Sequence, residues 1–376
     1  QVGRLPSGFR FDAFEKRRII FWICTEWRER MLGRVGCILN DFRFRASQRN
    51  HWGMTGSQEE ATLSIVIPCF NSSESLEKCI ASIDADERVE IILVDDGSTD
   101  GTSDVARGIS KRRPELTIRL FGNAHNMGPG GARNLGLKKA RSKYIMFVDS
   151  DDELMKGCCE SVLLALNQYD PDILFFDAFR EVAGKRLYLK MFASPVVHGG
   201  VVPAQKAFVY GKGCTCGKVY RRELVEEYAL SFFHTLFGED VLFSKSAFAR
   251  ARTILYLDAP LYVYKENDQS LSHGACSLDE TVHLSLYSEL LKRVQDLPCA
   301  DELNALYYTL VVYPTMIALL RQGACDRKCA NVFDSMIAGY QRPDRYFMSL
   351  ESKFKIAYFL FRFHLFKPLR WVIGNG

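Results

Sequence analysis

Five short apolar runs between residues 62 and 180, each ending in a polar turn and followed by a stretch of helical spacing, restrict this chain more than any other feature. The runs are 63–67 (LSIVI), 89–94 (VEIILV), 116–121 (LTIRLF), 144–148 (YIMFV) and 172–179 (DILFFDAF). Short, nearly continuous apolar segments suit strands buried on both faces, and Pro68 stops the first of them. Helices are expected over about 74–84, from Ser98 or Thr99 to about Lys111, over 129–141, and up to about Tyr169, with Ser72 or Ser73 and Ser98 or Thr99 as caps. Such alternation predicts an α/β fold with a mainly parallel, Rossmann-like sheet flanked by helices.

Ligands of such sheets lie beyond the carboxyl ends of the strands. The polar clusters fall there: Asp95-Asp96 after the second run, Asn123–Asn126 after the third, and Asp149–Asp152 after the fourth. Asp149, Asp151 and Asp152 offer oxygen ligands at one strand end, the chemistry a hard cation such as Mg²⁺ or Mn²⁺ needs. Each acidic turn in isolation reads equally well as a helix cap. Residues 126–134 (NMGPGGARN) open a helix with small residues that admit close approach, and Arg133 supplies a fork suited to phosphate or carboxylate. Gly238-Glu239-Asp240 begins another helix, where an acid could serve as general base or simply complement the helix dipole.

The ordered set Pro68-x-Phe70-Asn71, Asp95-Asp96-Gly97-Ser98-Thr99-Asp100, Asn126-x-Gly128 with Ala132-Arg133-Asn134, Asp149-x-Asp151-Asp152 and Gly238-Glu239-Asp240 resembles the family 2 inverting glycosyltransferases over about residues 62–275. The resemblance implies a GT-A-type fold, a nucleotide-diphosphate sugar donor (a UDP-sugar by preference), Mn²⁺ or Mg²⁺, and a saccharide or lipid-linked acceptor in polysaccharide or glycolipid assembly. By position it implies that Pro68, Phe70 and Asn71 line the donor site and that Asp96 accepts from the base. Arg133 then lies near the donor, Asp149 serves the ribose or sugar, Asp151 binds the metal, and Asp240 is the base. Lys218, in a stretch similar to one in polysaccharide-assembling relatives, and Glu239 are candidate acceptor or phosphate contacts. His273 is a candidate second metal contact. The competing functions are a metal-dependent nucleotidyltransferase and a non-catalytic nucleotide-sugar-binding protein.

Composition bounds the rest. Residues 1–60 hold 11 Lys or Arg against 7 Asp or Glu, and residues 351–376 hold five against one, so the ends are basic and the middle is net acidic. An acidic centre excludes a nucleic-acid cleft there. The predicted organisation is a basic extension with a helix over about 14–40 and a linker (1–60), a catalytic domain (61–275), and a helical C-terminal region (276–376). The tail, aromatic and basic, reads either as a membrane-surface anchor or as a helix packed on the domain. No run of about 18 apolar residues predicts a spanning helix. The twelve cysteines show no CxxC pair, which predicts reduced thiols. The expected location is cytoplasmic, peripheral on the inner face of the cell membrane.

Overall fold

The structure is a computed structural model. It describes residues 62–192, 199–234, 238–266, 280–297, 300–321 and isolated positions between 331 and 361. The N-terminal extension with its expected helix and linker, and His273, lie outside the described residues.

Ten strands form one sheet. β1 (Leu63–Cys69), β2 (Val89–Asp95), β3 (Thr117–Gly122) and β4 (Tyr144–Phe147) are the first four apolar runs, and β6 (Ile173–Val182) is the fifth. β5 (Glu153–Leu154), β7 (Lys185–Leu189), β8 (Gly200–Val201), β9 (Lys218–Arg221) and β10 (Ile254–Lys265) complete it. The order is β3-β2-β1-β4-β9-β6-β10-β5, with β7 beside β6 and β8 beside β10. β3, β2, β1 and β4 are mutually parallel, and β6 and β10 are parallel to each other. β9 lies between β4 and β6, antiparallel to both.

Alternate residues of the central strands enter two cores. Val66, Ile92, Ile145 and Phe175 face one; Ile65, Ile67, Ile91, Met146 and Phe176 face the other. α1 (Leu76–Ala81), α2 (Thr102–Arg112) and α4 (Cys158–Tyr169) cover the second face with Leu76, Ile109 and Val162. On the first face lie α3 (Gly128–Lys139), α5 (Ala204–Tyr210) and α7 (Glu239–Arg250). The short α6 (Arg222–Glu227) follows β9 and adds Leu224 and Val225 to the first core. α3 presses on β1 at Gly136, where a Cβ would stand 2.2 Å from Val66 Cγ1. Near the start of α3, Gly130 also packs closely, since a Cβ there would stand 3.1 Å from Glu239 Cγ and 3.2 Å from Phe232 Cβ.

Two capping expectations are corrected. Neither Ser72 nor Ser73 caps α1, whose N-cap is Ser75, and α2 begins at Gly101 without a side-chain cap. The serines and threonine instead stitch adjacent loops. Asn71 N–H donates to Ser98 Oγ at 2.9 Å, Thr99 N–H to Asn71 Oδ1 at 3.0 Å, and Ser73 N–H to Asp100 Oδ2 at 3.0 Å. Despite the opposing effect of burial, the Thr102 hydroxyl and the Ser73 and Thr102 amides hold the Asp100 carboxyl below its usual range.

Helices follow β10, as expected: α8 (Glu280–Val294), α9 (Ala300–Tyr307), a π-helical turn over Tyr308–Val312, and α10 (Tyr313–Arg321). Of the tail, Ala357, Tyr358, Leu360 and Phe361 are described and buried. Tyr358 meets Tyr308 edge-on with ring centroids 5.5 Å apart, and Phe361 lies 5.6 Å from Phe333. For these residues the packed reading of the tail holds. Among the described residues, no helix is long and apolar enough to cross a membrane.

Candidate functional site

The ends of β1 and β2 bring the first motifs together. Pro68 pairs with Val94 and Cys69 with Asp95, so Phe70, Asn71 and Asp96 emerge side by side. Phe70 is 46% exposed and offers a ring face to a planar ligand. Asp96 is 2% exposed. It accepts from Asn123 Nδ2 at 2.6 Å and from Met127 N–H at 3.0 Å. The carboxylate expected to meet a base thus also fastens the 123–127 loop; an ionised carboxylate has about four acceptor positions, so capacity remains. Gly97, at φ +77°, lets this turn lie flat on the same loop, where a Cβ would come 3.0 Å from backbone atoms of His125 and Asn126.

The end of β4 carries the acidic turn. Asp149 Oδ1 accepts from Arg133 Nη2 at 2.7 Å, and its Oδ2 faces Cys216 Sγ at 3.5 Å. Asp152 is buried. It accepts from Tyr262 Oη at 2.6 Å and from Lys265 N–H at 2.8 Å, so it ties the turn to β10. Burial first, then the charges of Asp149 and Asp151, push the Asp152 carboxyl well above the usual range. The turn does not cap α4, whose N-cap is Gly157. Asp151 is partly exposed beside these groups. Among the described residues, the ligand atoms that gather within 4.8 Å belong to Asp149, Asp152 and Cys216; the expected metal ligand, Asp151, stands outside that trio.

Gly238, at φ +81°, is the N-cap of α7 and puts Glu239 and Asp240 in its first turn. Arg133 joins this turn to the acidic one. Its Nη1 donates to Glu239 Oε1 at 2.9 Å while Nη2 holds Asp149. The guanidinium lies 5.5 Å from the Phe232 ring centroid, a cation–π contact. Asp240 accepts from Val241 N–H at 2.7 Å. Burial, reinforced by Glu239 and opposed by Arg133, pushes its carboxyl up to about 7.

Lys218, expected as an acceptor or phosphate contact, is buried on β9; its Nζ donates to the Cys214 carbonyl, and its ammonium lies 5.9 Å from the Phe248 ring. Lys245 of α7 was not singled out by sequence. Its buried Nζ donates to the carbonyls of Phe208 and Gly211, each at 2.7 Å, and so closes the end of α5. Burial lowers its pKa to about 7. Tyr262 also escaped notice, because a strand tyrosine carries no local signal, and Cys214 and Cys216, one residue apart, read only as reduced thiols.

The model for the family described as glycosyl transferase family 2 matches residues 64–229. The uncharacterized glycosyltransferase EpsJ of Bacillus subtilis is 32% identical over 221 residues, covering 56% of this chain and 62% of that protein. The poly(ribitol-phosphate) beta-N-acetylglucosaminyltransferase TarS of Staphylococcus aureus is 28% identical over 54% of this chain and 35% of its own length. The chain thus spans less than two thirds of these curated relatives. The crystal structure of S. aureus TarS 1–349 in complex with UDP-GlcNAc superposes with a TM-score of 0.61, covering 84% of this chain and 91% of that one at 22% identity. The sheet order and these matches agree: residues 64–229 are a glycosyl transferase family 2 domain, on a GT-A-type fold.

Proposed function

We propose that the chain transfers a sugar from a nucleotide-diphosphate donor to a hydroxyl acceptor, with inversion, in the assembly of a cell-surface polysaccharide or glycolipid. The observation that carries this reading is the Arg133 bridge, which holds the donor-side carboxylate Asp149 and the Glu239-Asp240 turn on one rim. Phe70 and Asp96 take the base, with Pro68 and Asn71 shaping the loop beneath it. Asp149 takes a ribose or sugar hydroxyl. A UDP-sugar is the preferred donor, since the related TarS structure holds UDP-GlcNAc.

Asp240 removes the proton from the acceptor hydroxyl as the acceptor oxygen attacks the anomeric carbon. The bond from that carbon to the diphosphate oxygen breaks on the opposite face, and the electron pair leaves with the nucleoside diphosphate. A carboxyl near 7 suits a base that must be ionised yet still basic at neutral pH. Oxygen donors on a partly exposed turn fit Mg²⁺ or Mn²⁺; Asp151 would hold the ion, which when bound offsets charge on the departing diphosphate. The family match does not favour nucleotidyl transfer or non-catalytic binding.

Asp240→Asn is expected to bind a UDP-sugar normally and to lose transfer by about 10²-fold or more. Asp151→Ala is expected to lose Mn²⁺-dependent donor binding. Both are read by thermal shift with the nucleotide-sugar, since a ligand of the native state raises the midpoint, and by product formation. Full transfer by Asp240→Asn would remove it as the base.

A further inference from the structure

The trio at the β4 end contains a thiol, and a thiol is the wrong ligand for the hard ion of the proposed reaction. Cys216 Sγ, Asp149 and Asp152 present their ligand atoms within 4.8 Å of one another. Cys214, two residues earlier, lies outside that trio. A sulfur and two carboxylates suit a borderline-soft ion such as Zn²⁺, whereas Mg²⁺ and Mn²⁺ prefer oxygen alone.

We propose that Cys216, Asp149 and Asp152 form a Zn²⁺-binding site overlapping the donor site, through which Zn²⁺ inhibits donor binding. This rests on the assignment of Asp149 to the donor. The geometry is close to that required. Zn–S and Zn–O bonds of about 2.3 and 2.0 Å at a tetrahedral angle place sulfur and oxygen roughly 3.5 Å apart, and Cys216 Sγ stands 3.5 Å from Asp149 Oδ2. That oxygen is the one Arg133 leaves alone, since the guanidinium takes Oδ1. Tyr262 Oη and Lys265 N–H orient Asp152, as outer partners commonly orient ligating carboxylates. Cys216 and Asp149 are each partly exposed, so an ion can reach them. Binding releases the Cys216 thiol proton and engages the carboxylate needed for the sugar or ribose.

The test uses the full chain, reduced and metal-free, with ZnCl2 in equilibrium dialysis and with Cd²⁺ as a spectroscopic probe of sulfur ligation. The wild type is expected to bind one more Zn²⁺ than Cys216→Ser, and the thiolate-to-Cd²⁺ absorption should fall in that variant. Equal Zn²⁺ stoichiometry and affinity in Cys216→Ser would overturn the site, as would an unchanged Cd²⁺ absorption. Asp151→Ala should retain the Zn²⁺ while losing Mn²⁺-dependent UDP-sugar binding. Zn²⁺ bound through Cys216 without effect on UDP-sugar binding would uphold the metal site and overturn the inhibition, whereas the assignment of Asp149 to the donor falls separately if Asp149→Ala binds UDP-sugar as the wild type does without Zn²⁺.

Discussion

Asp240 occupies a helix N-terminus, where the dipole favours a negative charge, yet its carboxyl is pushed up to about 7 by burial and by Glu239. The rate dependence follows from that sign. In the proposed mechanism the ionised form is the base, so kcat/KM should climb with pH through an apparent pKa near 7 and level off above it; Asp240→Asn should abolish the rising limb. Stability runs the other way. The folded carboxyl stays neutral to a higher pH than the unfolded one, whose pKa is about 3.9, so stability fully present below about pH 4 is lost progressively as pH rises to about 7. Asp240→Asn should therefore melt above the wild type at pH 8 and match it only below about pH 4. Arg133 is the other residue of this scale. Arg133→Lys cannot span Asp149 and Glu239 at once; it should leave Glu239 unpaired in its buried position, cost about 1–3 kcal/mol in urea unfolding, and raise the donor KM. The candidate residues were legible because each stands in a motif at a strand end or helix start. The bridge was not, since Arg133 and Glu239 are 106 residues apart and no local spacing encodes a contact of that range.

At the scale of elements, the apolar runs and their helices were readable from periodicity, and the boundaries fell within a few residues. What the sequence hid was the region after β6. The hairpin there turns on Ala183 and Gly184, both with positive φ, and β7 is mostly exposed, so no apolar alternation marks it. β9 is only four residues long, and its direction is set by its neighbours rather than by its composition. Lys245 was equally hidden, because a lysine within VLFSKSAFAR looks like a solvated helix face. α3 shows the opposite case, in which glycines report a real contact. Gly136→Ala would place a methyl against Val66, where a Cβ stands only 2.2 Å from Cγ1. Overpacking of this kind costs about 1–3 kcal/mol and should lower the urea midpoint with little change in slope.

For the molecule as a whole, the helical region after β10 belongs to the same buried core as the catalytic sheet. Phe361 and Tyr358 share that core with Val66 and Phe175. Phe361→Ala should cost about 3–5 kcal/mol and lower the melting midpoint even without membranes, as a packed tail requires. Liposome co-sedimentation with and without residues 351–376 measures the surface contact separately.

The position of β9 sets an order on synthesis. β4 and β6 are both made before β9, yet in the finished sheet they meet only through it. A nascent chain that stops short of Lys218 holds two part-sheets, each with an open inner edge and no strand to join them. Such edges invite pairing with other chains. The ribosome must therefore carry the polypeptide well past the midpoint before the central seam can close. Until then, protection of those edges falls to whatever attends the emerging chain.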